Sequence, residues 1–123
     1  MSGCRGEIEQ DEELPRVRVW CLGDEIPEWI DDLEHGIEEE GVSWVVQSGY
    51  EGGAVPVAHQ AAVESKLKIG VGVTHDERIV VHHKQLPSED PVFDVSDTTP
   101  KLARRLGTNS ARLAKGIPLK TIS

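Results

Sequence analysis

Residues 16–47 read RVRVWCLGDEIPEWIDDLEHGIEEEGVSWVVQ, and their patterning decides the fold class. Val17, Val19 and Cys21 alternate with Arg16, Arg18 and Trp20, which is the period of a strand. Ile26, Trp29, Ile30, Leu33 and Ile37 then recur at steps of three and four, one apolar stripe on a helix. Asp24 suits the N-cap of that helix, Pro27 fits its first turn, and Gly41 suits a left-handed stop. SWVVQ at 43–47 supplies a second strand. Strand, helix and strand joined by short connections make a right-handed parallel crossover unit, so the class is α/β.

The helix carries its charges where helix physics does not want them. Glu38, Glu39 and Glu40 fill the last turn with no Lys or Arg nearby in sequence. A helix C-terminus is partly negative and repels carboxylates. Three kept there predict that something cationic from elsewhere meets this end, either a metal ion or a basic partner surface; a solvated acidic face is the bland alternative. Charge is polarised along the whole chain. Residues 1–40 hold 14 acids against 3 bases, whereas residues 98–123 hold no acid and six bases. Two differently charged faces suggest partner proteins or an assembly. The net charge of −9 argues against general nucleic-acid binding.

Outward from the crossover, residues 1–15 are polar and acidic and read as a flexible leader, leaving 16–123 as one α/β domain. SGYEGGAV at 48–55 reads as a flexible surface turn; it lacks the GK[ST] or GxGxxG that would make it a nucleotide loop. A helical segment follows at 56–66. KIGVGVT at 68–74 is a buried-type strand whose Gly70 and Gly72 permit close packing. Only His75-Asp76-Glu77 separates it from RIVVH at 78–82, so these two strands form an antiparallel hairpin and one strand of the sheet is reversed. PVFDV at 91–95 adds a short edge strand. Thr99 and Pro100 start a last helix, which Gly107 and Asn109 are expected to kink or split, and Gly116 with Pro118 ends it. Its basic face is expected to be exposed.

Catalytic constellations do not rise above background. His75, His82 and His83 share the hairpin, but adjacent His82 and His83 point to opposite faces of a strand and do not readily share one ion. His59-Gln60 opens a helix, where a capping or interface role outweighs catalysis. Asn109 either bonds a partner backbone or stabilises the kink; with Arg112 and Lys115 it is an interface candidate. Cys4 and Cys21 make no disulfide framework or zinc spacing. No stretch is apolar for long enough to span a membrane, and the expected location is the cytoplasm.

Four segments taken together, GIEEEG (36–41), HQAA (59–62), HHKQLP (82–87) and NSARLAKGIP (109–118), resemble the small subunit of the diol/glycerol dehydratase reactivase family over roughly residues 16–120. Leu119 departs from the pattern, where an aromatic is usual, as does the acidic leader. The resemblance implies a three-layer α/β/α sandwich like the dehydratase medium subunit, with a mixed five-stranded sheet of order 2-1-3-4-5 and strand 4 antiparallel. The hairpin read above agrees with that reversed strand. It implies a non-catalytic chaperone subunit, two copies pairing with two large ATPase subunits that bind ATP. By taking the medium subunit's place against the dehydratase large subunit, it would release damaged cobalamin from an adenosylcobalamin-dependent enzyme. It further implies that Glu39 contributes to a Mg2+ or Ca2+ ion held mainly by the large subunit, with Glu38 and Glu40 in support. The resemblance leaves open a bacterial microcompartment association beside the cytoplasm. Three alternatives stand beside this reading, the blandest being an orphan α/β interaction domain. One is a subunit of the dehydratase itself, for which 123 residues is short. Another is a stand-alone metal-binding α/β protein using His82, His83 and nearby acids.

Overall fold

The computed structural model describes the backbone of residues 4–6 and all of residues 14–121. Six strands and three helices follow in the order β1 (Cys4–Gly6), β2 (Val17–Leu22), α1 (Ile30–Glu39), β3 (Trp44–Tyr50), α2 (Ala54–Glu64), β4 (Ile69–Val73), β5 (Ile79–His83), β6 (Phe93–Val95) and α3 (Pro100–Lys115). They build one sheet of spatial order β1-β3-β2-β4-β5-β6. Counted from β2, this is the expected 2-1-3-4-5. β2 pairs in parallel with β3 and β4, and β5 runs antiparallel to β4, with Val71 opposite Val81. The reversed strand therefore stands where the three-residue gap placed it.

Strand alternation sorts the core into two layers. Val17, Val19, Cys21, Val46, Val71 and Val81 face α1 and α3, whose Ile30, Leu33, Ile37 and Leu106 are fully buried against them. Full burial of each such side chain contributes about 1.5–3 kcal/mol. On the other face, Trp20 packs with Val57 and Ala61, and Val80 with Ala54 and Ala58. α2 lies almost on the backbone of β4. A Cβ on Gly70 would sit 2.3 Å from the Ala58 carbonyl oxygen, and one on Gly72 would sit 2.6 Å from that of Ala54. Gly70 and Gly72 meet an alanine-rich helix, which is why neither partner carries bulk there.

Four local expectations are corrected. Asp24 does not cap α1: the helix begins at Ile30 after a tight turn in which Ile30 N donates to Pro27 O. Pro27 pushes Ile26 toward extended backbone, so the helix does not reach back through it. Part of the expected surface turn, Ser48-Gly49-Tyr50, belongs to β3, held by Gly49 N to Gly23 O and by Tyr50 stacked on Trp20 at 4.1 Å. Helix α2 starts at Ala54, two residues before the proline, because Pro56 falls at the third helical position, whose N–H has no partner within the helix anyway. Finally, Cys4–Gly6 lies in the stretch expected to be a flexible leader yet pairs antiparallel with Val45–Gln47 as a sixth, edge strand. Residues 1–3, 7–13 and 122–123 lie outside the described residues, and the rest of the leader expectation falls on them.

Thr99 caps α3 as expected, its Oγ1 accepting from Leu102 N at 3.2 Å, with Pro100 at the first helical position. Gly116 ends the helix with φ 71°. Following strand directions, α1, α2 and α3 all terminate at the same rim of the sheet, the one where β2, β3 and β4 begin.

Candidate functional site

The acidic end of α1 and the basic side of α3 are brought together by a glycine crossing. A Cβ on Gly36 would lie 2.0 Å from Arg104 O, and one on Gly107 would lie 2.0 Å from Leu33 O. The two backbones touch because neither glycine has a side chain. Gly107, expected to kink α3, instead lets it cross α1, and α3 runs unbroken over sixteen residues.

That crossing supplies the cations whose absence from the local sequence was odd. Arg104 forks over Glu39, with Nε donating to Oε1 at 3.3 Å and Nη2 donating to Oε2. Arg112 Nε donates to Glu40 Oε2 at 3.2 Å, and Lys115 Nζ reaches both Glu40 Oε1 at 3.1 Å and the Glu40 carbonyl at 2.9 Å. Lys115 thereby neutralises the carboxylate and the helix terminus together. Hydrogen bonding from Arg104 holds the Glu39 carboxyl below its usual pKa, and bonding from Lys115 and then Arg112 does the same for Glu40. The basic face of α3 is therefore partly engaged within the chain rather than wholly exposed. In sequence Arg104 is one of the six bases of the acid-free run but stands out as no candidate, because its partner lies 65 residues away.

The three glutamates differ. Glu40 is largely covered, its side chain 14% exposed, and is clamped by two bases. Glu39 is 48% exposed, and Arg104, which it pairs with, is 53% exposed. Glu38 is exposed. Water screens a pair as open as Glu39 and Arg104, so exchanging it for another cation is cheap. A hard divalent ion takes oxygen ligands, and one carboxylate from each of two chains is a workable arrangement. Glu39 fits that role as a single ligand provided Arg104 swings away. Among the described residues no group of three or more His, Cys, Asp or Glu could hold a metal, so the remaining ligands would come from a partner.

The other candidates fall in two places. Asn109 is fully buried and binds the tail after α3: Nδ2 donates to Lys120 O at 2.9 Å, and Lys120 N donates to Oδ1 at 2.7 Å. With Arg112 Nη1 donating to Pro118 O at 3.0 Å, it folds the NSARLAKGIP segment back on itself next to Glu40. His59 and Gln60 are on the opposite face, on α2. Gln60 Nε2 donates to Glu64 Oε2 at 3.4 Å, while His59 Nε2 lies 3.1 Å from Leu86 O and its ring sits edge-on to His82 at 4.7 Å. His82 is buried; its Nδ1 accepts from His83 N at 3.0 Å, so its Nε2 donates to Ser88 O at 3.0 Å. His83 Nδ1 accepts from Gln85 N at 3.0 Å. These three histidines fasten the loop after β5. His75 is at the other end of the hairpin, beside Gly23.

Comparison with known proteins shows the family to which the chain is similar. The family model described as dehydratase medium subunit matches residues 14–120. A propanediol dehydratase-reactivating factor small subunit of Citrobacter freundii is 41% identical over 90 residues, covering 72% of this chain and 77% of its own. Its counterpart from Salmonella typhimurium is 34% identical over 94% of this chain and 98% of its own. Among solved structures, a diol dehydratase-reactivating factor complexed with ADP and Mg2+ superposes with a TM-score of 0.82 at 33% identity, over 89% of this chain and 100% of the matched chain. A glycerol dehydratase reactivase gives 0.83 at 29% identity with the same coverage.

Proposed function

The chain belongs to the family of dehydratase-reactivating factor small subunits, which share the dehydratase medium-subunit fold, and on that premise we propose that it is the small subunit of an ATP-dependent chaperone for a diol or glycerol dehydratase. In this reading it has no catalytic residue of its own. It pairs with a large subunit that binds ATP, two copies with two, and it displaces the medium subunit from the dehydratase large subunit so that damaged cobalamin leaves. The observation that carries the reading is the match to reactivating-factor small subunits along nearly the whole chain.

Pairing with the large subunit runs through the α1 end. Glu39 would leave Arg104 and serve as one ligand of an intersubunit Mg2+ or Ca2+, which would neutralise carboxylate charge at the end of α1. Glu38 adds field or solvent contacts, while Glu40, held by Arg112 and Lys115, keeps the helix end in place. Arg104, once released, is available to a carboxylate of the large subunit. A reactivase solved with Mg2+ is consistent with a metal in the assembly.

The test is co-expression with the candidate ATPase subunit. The pair should restore a glycerol-inactivated dehydratase when given ATP, magnesium and fresh coenzyme, and neither chain alone should. Failure of the pair to form, or restoration by this chain alone, overturns the reading. Cobalamin retained in a purified complex with catalytic subunits would instead assign the chain to the dehydratase itself.

A further inference from the structure

Behind the sheet, on the α2 side of the rim where the helices end, lies a cleft of about 400 Å3 lined by Val63, Glu64, Ser65, Lys66, Lys68 and Lys84. We infer that it docks an acidic, partly apolar segment of a protein partner, separately from the glutamate end of α1. In a chain of net charge −9, three lysines converge on this one cleft. Lys68 and Lys84 have no anionic partner among the described residues. Their backbones are tied together by Lys84 N donating to Lys68 O at 2.9 Å.

Compensation of the α2 terminus does not account for them. The Glu64 carbonyl already accepts from Arg18 Nε at 3.2 Å, and Lys84 belongs to the segment after β5. Lys68 also holds a left-handed φ of 69°, a conformation that glycine or asparagine adopts at less cost. A strained lysine beside an unneutralised one is a combination that packing does not need.

The surroundings choose the ligand. Val63 and Leu86, 38% and 37% exposed, are two of the four exposed large apolar side chains in the described residues. Val63 lines the cleft, and Leu86 follows Lys84 by two residues, its carbonyl held by His59 one helical turn before Val63. The histidine-fastened loop presents Leu86 in a set position. A compact phosphate suits the cleft poorly. The Ser65 hydroxyl, the neutral donor that a compact anion would use, is committed, donating to Arg16 O at 2.6 Å and accepting from Leu67 N at 3.1 Å. Long, independent lysines beside valine and leucine suit spaced carboxylates alternating with apolar groups.

The experiment uses the full chain and a fluorescent peptide of repeating Glu-Glu-Leu, followed by anisotropy at low and moderate salt. It requires neither the large subunit nor a dehydratase, so it stands apart from the function proposed above. The expected result is saturable binding, weakened about tenfold or more by the paired change Lys68→Glu and Lys84→Glu. Leu86→Ser and an all-glutamate peptide should each bind more weakly. Lys68→Gly, which relieves the backbone, should lose affinity while keeping thermal stability. Equal binding by the charge-reversed chain overturns the proposal. So does displacement of the peptide by inorganic phosphate at matched ionic strength, which would make this a free-anion site. Binding only after deletion of residues 1–13 also overturns it, since the occupant would then be the chain's own leader.

Discussion

Asn109 shows how much one buried amide can organise. Both its polar atoms bond the Lys120 backbone, eleven residues on, so one side chain in the middle of a helix fastens the tail beyond Gly116 beside the contacts of Arg112 with Pro118 O and Arg105 with Thr121 O. Asn109→Ala removes both bonds, but the Lys120 groups remain near solvent and recover water. Unfolding by urea should show a loss of about 1–2 kcal/mol, and amide exchange at Lys120 should accelerate. Unchanged exchange there would mean the tail is held by the arginines alone. Glu39 and Glu40 should separate under the same change to glutamine. Glu40→Gln removes the anchor of Arg112 and Lys115 and should lower the melting temperature. Glu39→Gln should leave melting almost unchanged and weaken pairing with the large subunit only when divalent metal is present. Equal pairing of wild type and Glu39→Gln, with and without metal, would remove Glu39 from the proposed metal site.

At the scale of elements, the crossing of α1 and α3 depends on two residues without side chains. Gly107→Ala would drive a methyl into the Leu33 carbonyl, and Gly36→Ala would do the same at Arg104. Either should cost about 1–3 kcal/mol as the helices move apart, measured by chemical denaturation. Thr99→Ala, which removes the α3 cap, should cost about 1 kcal/mol. The caps and the hairpin were legible because their signals are local: Thr99-Pro100, Gly116, and a gap of three residues between two strand patterns. The helix start at Ile30 was missed because an aspartate cap and a buried proline compete over a few residues, and the proline decides. Gly107 was misread for another reason. A glycine within a helix looks the same in sequence whether it weakens the helix or admits a neighbour, and only the neighbour distinguishes them. The pairing of Glu39 with Arg104 spans 65 residues, beyond any spacing rule, although opposite charge runs at the two ends of the chain pointed toward it.

For the molecule as a whole, charge placement sets the response to pH. Glu39, Glu40 and Asp94 all have carboxyl pKa values lowered in the folded chain by hydrogen bonds from Arg104, Lys115 and Arg78. Their contribution to stability is complete above the unfolded values, near 4.5 for the glutamates and 3.8 for Asp94, and is lost as pH falls through the lower folded values. His83 is lowered by burial and by Lys68, so the folded chain favours its neutral form. That contribution is present above its ordinary value near 6.5 and fades as pH falls through the folded one. Melting followed from pH 8 to pH 3 should therefore decline in two stages, the first removed by His83→Gln and the second reduced by Glu40→Gln. A single decline unaffected by either change would show that these groups do not govern acid unfolding.

The direction of β5 has one more effect. Because that strand runs against its neighbours, it delivers Lys84 and the histidine-fastened loop to the rim where the helices finish. Run the other way, five residues of extended chain would set them down roughly 17 Å off, on the far margin. A single reversal thus sets lysines on the α2 side of the same border at which the α1 glutamates finish on the other.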